Sequence, residues 1–141
     1  MAEARELGER WFDTVKTGDT QAIAALLTDD VDFYSPGGQV DGPQEVAQFV
    51  GAFATAVLDS EFDIRIWVES GSTAVAEGTY RGTHTGPMMT PQGEIPATGK
   101  SIDLPFVTVF EARDGKISAH RAYWDNATFS MQLGLMPAPG A

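Results

Sequence analysis

The chain of 141 residues has no cysteine, only two histidines, and only nine basic residues against twenty acidic ones. Without cysteine it can form no disulfide, thiolate nucleophile, zinc–thiolate site or iron–sulfur cluster. Its formal net charge of −11 has the wrong sign for phosphate backbones and anionic lipids, so we expect no nucleic acid and no membrane as partners. The charged start MAEARELGERW is unlike a secretory signal, and no apolar run approaches the roughly 18 residues of a membrane span. We therefore expect a cytoplasmic protein.

The two histidines, His84 and His120, lie far apart in the sequence, and no compact set of histidine and carboxylate ligands accompanies them. We therefore expect no metal site. The sequence also contains no phosphate-binding glycine loop, no dinucleotide fingerprint and no Gly-x-Ser-x-Gly elbow. What is present is an ordinary globular composition, 43% hydrophobic and 21% charged, at a length that suits one domain over residues 1–141.

Hydrophobic spacing predicts an α+β fold. Two helices, at about 3–17 and after Asp19, precede a strand around Phe33, and a longer helix begins at Pro43. Four antiparallel strands follow, at 64–68, 73–84, 101–112 and 116–125, with a glycine- and proline-rich loop or lid at 85–98 and a short helix or turn after residue 125. A strongly curved, mostly antiparallel sheet under N-terminal helices can enclose an apolar pocket.

The dipeptide Asp114-Gly115 predicts a two-residue hairpin turn, which fixes the register of the last two strands. Strict alternation from this turn places both side chains of each of the following cross-strand pairs on the same face of the sheet. The predicted pairs are Leu104 with Asp125, Phe106 with Tyr123, Thr108 with Arg121, Phe110 with Ala119, and Ala112 with Ile117. The same alternation places His120 on the opposite face.

Asp125 is the strongest candidate for a catalytic group under this register. An apolar face would disfavour its charged form and raise its pKa, as a general acid or base near neutral pH requires. An aspartate directly before a helical segment is also a common N-cap, so a purely structural role stays open.

His84 ends a strand within Gly82-Thr83-His84-Thr85-Gly86, where glycines permit close approach of a ligand or of the protein's own backbone. It can relay a proton or bind a substrate oxygen, and it can equally anchor the root of the loop by a structural hydrogen bond.

Seven further residues are candidates for binding a substrate. Arg121 would stabilise an enolate or carboxylate and Tyr123 would donate to a carbonyl oxygen, or else either residue would pair with an internal acid or fill core volume. The aromatic rings would form pocket walls and core, and Met88 would adapt a lid to an apolar ligand. These apolar candidates are Phe106, Trp11, Phe33, Phe53 and Met88.

Several motifs together resemble the SnoaL-like polyketide cyclases of the nuclear transport factor 2-like superfamily. They are Gly-Thr-His-Thr-Gly at 82–86, Pro-Ala-Thr-Gly-Lys at 96–100, Leu-Pro-Phe at 104–106, Asp-Gly-Lys-Ile at 114–117, and the spacing of His120, Asp125 and Gln132-Leu133-Gly134. The resemblance implies a conical α+β barrel, a homodimer, no cofactor, and Asp125 as general acid/base for intramolecular aldol ring closure of an apolar, polyketide-like substrate. Arg121 stands where those cyclases often have tryptophan.

The scaffold hosts several kinds of chemistry, so the function has alternatives. One is isomerase or epoxide-hydrolase activity, in which a hydrolase would need a second carboxylate and an arginine, for which Asp32 and Arg121 are the candidates. The other is a non-catalytic protein that binds a small molecule, with Asp125 as a cap and His84 as a loop anchor.

Overall fold

The computed structural model describes residues 3–90 and 93–136. Within them no helix is long and apolar enough to cross a membrane. The described elements are α1 Glu3–Val15, α2 Thr20–Ala25, β1 Leu27–Tyr34, α3 Pro43–Ala56, β2 Glu61–Ser70, β3 Thr73–Thr83, β4 Met88–Thr90, β5 Gly93–Ile95, β6 Ser101–Arg113, β7 Lys116–Tyr123 and α4 Asn126–Gln132.

A curved five-stranded sheet of order β1-β7-β6-β3-β2 carries the fold. Its pairs are antiparallel except for β1 and β7, which run parallel. The even-numbered side chains of β6 from Ile102 to Ala112 are buried, and the helices cover this inner face. The predicted α+β class is confirmed. A closed conical barrel is not confirmed, because β1 and β2 are edges of the described sheet.

The helices form where the sequence pattern predicts them. Leu7, Trp11 and Val15 lie four residues apart on the buried side of α1, as an amphipathic helix requires. The carboxylate of Asp19 caps α2 by accepting the N–H of Ala22 at 3.1 Å. These local signals predict the helices correctly.

The hairpin of β6 and β7 contains a bulge that the sequence analysis did not predict. The turn is as predicted, with positive φ at Asp114 (55°) and Gly115 (78°), and Ala112 pairs with Ile117. Glu111, however, pairs with Ala119, so Ser118 is an extra residue on β7. The Ser118 hydroxyl donates to the Glu111 carbonyl oxygen at 3.2 Å. Beyond this point the predicted register is wrong by one residue.

The bulge exchanges the two faces of β7. His120 pairs with Phe110 and Ala122 pairs with Thr108, so His120 and Ala122 point to the covered inner face. The predicted partners Arg121 and Tyr123 point to the outer face instead. The predicted pairing of Leu104 with Asp125 is also wrong, because β7 ends at Tyr123.

The segment predicted as a loop over 85–98 contains a small antiparallel ribbon of β4 and β5. Met88 is buried in the hydrophobic core, whereas Met89 is exposed. Pro91 and Gln92 lie outside the described residues.

Candidate ligand-binding cavity

A cavity of about 120 Å³ lies between the inner face of the sheet and helices α1, α3 and α4. Most of its wall is aromatic, because each covering element presents a ring toward the sheet. The lining rings are Trp11, Phe12, Phe53, Phe62, Tyr80, Phe106, Trp124 and Phe129, with His120 beside them.

The rings hold one another in place. Phe106 of β6 lies near the centre, with its centroid 5.8 Å from that of Phe12 and 6.1 Å from that of Phe62. Phe53 of α3 lies 6.4 Å from Phe129 of α4. These are separations at which aromatic pairs attract each other, so the wall is a preformed apolar surface.

His120 is the only imidazole among the described residues that line the cavity, and it is buried. Its ring lies 4.6 Å from Trp11 and is stacked on Phe33 at 5.3 Å. Burial, with a smaller contribution from Arg121, lowers the pKa of His120 to about 3, so its ring is neutral at physiological pH. Its Nδ1 is buried without a hydrogen-bond partner among the described residues.

Three of the described residues that line the cavity carry a hydroxyl, Ser60, Tyr80 and Thr108, and the last two lie at different ends of the sheet. Tyr80 pairs with Leu104, whereas Thr108 lies four residues further along β6 and diagonal to His120. The backbone positions of the two ends are therefore roughly 13 Å apart along the strand. Burial raises the pKa of Tyr80 to about 12, so its phenol keeps its proton.

No aspartate or glutamate occurs among the described residues that line the cavity. Its one cationic side chain is Lys16, which is exposed at the end of α1. With a neutral His120 and a protonated Tyr80, the interior carries no charge. Such a site suits uncharged ligands, because a buried charge without a partner is strongly disfavoured.

Asp125 lies outside this cavity and is exposed. It is the N-cap of α4, where Oδ1 accepts the N–H of Ala127 at 3.0 Å and Oδ2 accepts the hydroxyl of Thr128 at 2.9 Å. Hydrogen bonds from Thr128 and Ala127 lower the pKa of Asp125. The predicted rise of this pKa is wrong, because the carboxylate is solvated and hydrogen-bonded rather than held against apolar groups.

Arg121 and Tyr123 lie on the outer face of the sheet. The Arg121 guanidinium donates to Glu111 at 2.6 Å and to Asp32 at 3.0 Å. The proposed hydrolase partners Asp32 and Arg121 thus do pair, but neither lines the cavity. Tyr123 is 47% exposed and lies beside Tyr34.

His84 is fully buried and also outside the cavity lining. Its Nδ1 accepts the N–H of Thr98 at 3.3 Å and lies 3.0 Å from the Thr98 hydroxyl, and its backbone N–H donates to the carbonyl of Lys100. A Cβ on Gly86 would lie 2.5 Å from the Thr55 carbonyl oxygen, so the glycine admits the protein's own backbone. These contacts fit the loop-anchor alternative.

The structure brings together three of the predicted binding residues, Trp11, Phe53 and Phe106. Phe33 reaches the site only through its stacking on His120, and Met88 is in the core outside the lining. His120 and Tyr80 were not predicted as site residues. The sequence does contain one signal for His120. Strict alternation turns the charged Arg121 toward the apolar face, whereas a shift of one residue turns the less polar His120 and Ala122 there instead.

The family model described as SnoaL-like domain matches residues 8–120. No curated protein sequence matches the chain. Solved structures do, including a candidate polyketide cyclase from Pseudomonas putida KT2440, with 26% identity, a TM-score of 0.75, and coverage of 94% of this chain and 98% of that one.

Two other solved structures are similar in fold. TsrD from Streptomyces laurentii has 24% identity and a TM-score of 0.78, with 96% of this chain and 98% of that chain covered. An LEH-like epoxide hydrolase from M. tuberculosis has 21% identity and a TM-score of 0.71, with 94% and 90% covered.

Proposed function

Because the chain belongs to the SnoaL-like domain family, we propose that its cavity binds a small, uncharged, largely aromatic ligand. The observation that carries this proposal is the absence of any carboxylate among the described residues that line this aromatic cavity. Protein sites for small molecules are mostly apolar with a few polar groups that orient the ligand. Here the lining residues that carry such groups include Ser60, Tyr80, Thr108 and the neutral His120.

The size of the cavity indicates the size of the ligand. An apolar protein cavity of roughly 150 Å³ takes up benzene, and the cavity here measures about 120 Å³. It therefore has room for one small ring. A fused polyketide is larger than this volume and would extend beyond it.

Isothermal titration calorimetry with benzene and with benzylammonium tests the proposal. Benzene should bind, and benzylammonium should bind at least about tenfold more weakly, since its charge has no buried partner. The absence of detectable binding by benzene would contradict the proposal, as would equal affinities for the two compounds.

Cyclase chemistry with Asp125 as the acid/base is the second candidate, favoured by the family and by similar structures described as candidate polyketide cyclases. Trp124, which lines the cavity, directly precedes Asp125, so the carboxylate is close to the wall. To act on a bound ligand it would have to leave its hydrogen bonds to Thr128 and Ala127. His84 is a weaker catalytic candidate, because it also lies outside the cavity lining and would have to leave its contacts with Thr98.

Two variants of Asp125 separate the cap from a catalytic role. Asp125→Ala should lower the free energy of unfolding by about 1 kcal/mol, because a capping side chain is lost. Asp125→Asn retains capping ability and should change stability and benzene affinity little. Urea unfolding and calorimetry measure both quantities. Loss of turnover of a cyclisable substrate in a stable Asp125→Asn protein that still binds ligand would favour the second candidate.

The predicted homodimer stays a proposal. The outer face of the sheet supports it, since Ile66, Val68 and Tyr123 are about half exposed there and exposed apolar patches mark contact surfaces. Sedimentation as a monomer at high micromolar concentration would contradict it.

A further inference from the structure

Lys16 marks the place where the cavity meets solvent. Among the described residues of the lining it is the only exposed one, and the others are buried or half-buried. It directly follows Val15, the last residue of α1. Val50 and Phe53 of α3, which also line the cavity, are half-buried. We call this part of the lining, at Lys16, the mouth of the cavity.

The Lys16 side chain lies in two environments. It lines a wall that is otherwise apolar or uncharged, and yet the residue is exposed. A lysine at the edge of an apolar surface lays its methylene stem along that surface and keeps its ammonium in water. A ligand that extends from the cavity through the mouth therefore meets the ammonium, whereas a ligand wholly inside the cavity meets only the stem.

The ammonium of Lys16 has no carboxylate partner within the part of the chain that the structure describes. Every ion pair found there is formed by an arginine. Acidic residues outnumber basic ones by twenty to nine in the sequence, so a partner is not lacking for want of carboxylates. The positive charge at the mouth is available to pair with a group that a ligand supplies.

We propose that Lys16 selects aromatic carboxylates, which place their ring in the cavity and their carboxylate at the mouth beside the ammonium. The inference rests on the proposed function and extends it, since the enclosed part of the ligand stays uncharged. The cavity of about 120 Å³ has room for one small ring, and a carboxylate buried there without a cationic partner would be strongly disfavoured. Phenylacetate, with one methylene group between ring and carboxylate, is a simple member of this class.

Isothermal titration calorimetry at neutral pH and low ionic strength tests the proposal with two ligands. Phenylacetamide has nearly the same shape as phenylacetate but carries no charge. The measured quantity is the ratio of the affinity for phenylacetate to the affinity for phenylacetamide. Changes in the packing of the shared ring cancel in this ratio, so a purely structural role of Lys16 would not alter it.

Lys16→Met removes the charge and keeps an unbranched apolar stem on the wall. The ratio should fall about threefold, as expected for the loss of an ion pair between exposed groups. Lys16→Glu should lower the ratio further, because repulsion replaces attraction. Lys116→Met is the matched control, since Lys116 is exposed and lies outside the lining. It changes the net charge equally and should leave the ratio unchanged.

The outcomes separate this inference from the proposed function. If benzene binds and the ratio is the same in the wild type, Lys16→Met and Lys16→Glu, the inference is overturned and the proposed function stands. An equal fall in Lys16→Met and Lys116→Met would also overturn the inference, because net charge alone would then explain it. If benzene does not bind the wild type, the proposed function fails and this inference fails with it.

Discussion

Replacing Ala122 with leucine is expected to abolish ligand binding while leaving the protein at least as stable as the wild type. Ala122 is buried on β7, lines the cavity and faces it next to Thr108. A leucine side chain adds three carbons, which the cavity of about 120 Å³ can hold. Filling a cavity commonly stabilises a protein by about 0.5–2 kcal/mol. The ligand would lose the same space, so its affinity should fall by at least about 100-fold, the loss of roughly 3 kcal/mol of apolar burial.

Calorimetry with benzene and urea unfolding measure the two effects of Ala122→Leu. Val107→Leu is the matched control, because Val107 lies on the outer face of β6 opposite Tyr123. It adds apolar volume outside the cavity and should leave benzene affinity unchanged. Retained binding in a folded Ala122→Leu protein would place the ligand elsewhere. A loss of more than about 3 kcal/mol in stability would mean that leucine cannot enter the cavity without strain.

Local signals were sufficient to predict most elements of the fold. The apolar spacing of α1, the capping aspartate Asp19 and the turn at Asp114 and Gly115 all act within a few residues, so they can be read from the sequence without knowledge of the tertiary structure. Their agreement on a helix-covered antiparallel sheet was enough to predict the α+β class. The same periodicities also predicted Trp11, Phe53 and Phe106 as wall residues of the cavity.

The prediction of which polar residues of β7 enter the cavity failed because of one residue, Ser118, which the sequence pattern does not mark as a bulge. Counting back from a correctly predicted turn gives the right face only if every residue of both strands is paired. Ser118 is the extra residue, and it reverses the orientation of every later side chain on β7. A bulge is stabilised by contacts with the neighbouring strand, here the Ser118 hydroxyl on the Glu111 carbonyl. This single shift exchanged Arg121 for His120 in the cavity.

Asp125 illustrates a different limit. Its predicted raised pKa assumed a strand position on the apolar face, but the strand ends two residues earlier, at Tyr123. After a strand has ended, local capping determines what an aspartate contacts, and the alternative role as an N-cap describes the structure. Sequence spacing alone could suggest a catalytic position but not whether the carboxylate is buried.

Acid should destabilise the protein through His120 at pH values above those at which Asp30, Asp59 and Asp125 lose their stabilising effect. The pKa of His120 is about 3 in the folded protein, against 6.5 for an unperturbed histidine. Below pH 6.5 the unfolded chain therefore binds a proton that the folded protein does not, and stability falls as the pH falls toward 3. Between pH 7 and pH 5 this amounts to about 2 kcal/mol.

His120→Phe keeps a ring between Trp11 and Phe33 and removes the titrating group. Its free energy of unfolding should consequently fall by about 2 kcal/mol less than that of the wild type between pH 7 and pH 5. Urea unfolding at the two pH values measures this difference. The carboxylates of Asp30, Asp59 and Asp125 do not contribute in this window, because their pKa values are lowered from 3.8, and the stability they supply is lost only as the pH falls below it. Equal acid losses in the two proteins would mean that His120 also takes up a proton between pH 7 and pH 5 in the folded state, and the cavity would then carry a charge at pH 5 that favours anionic rather than uncharged ligands.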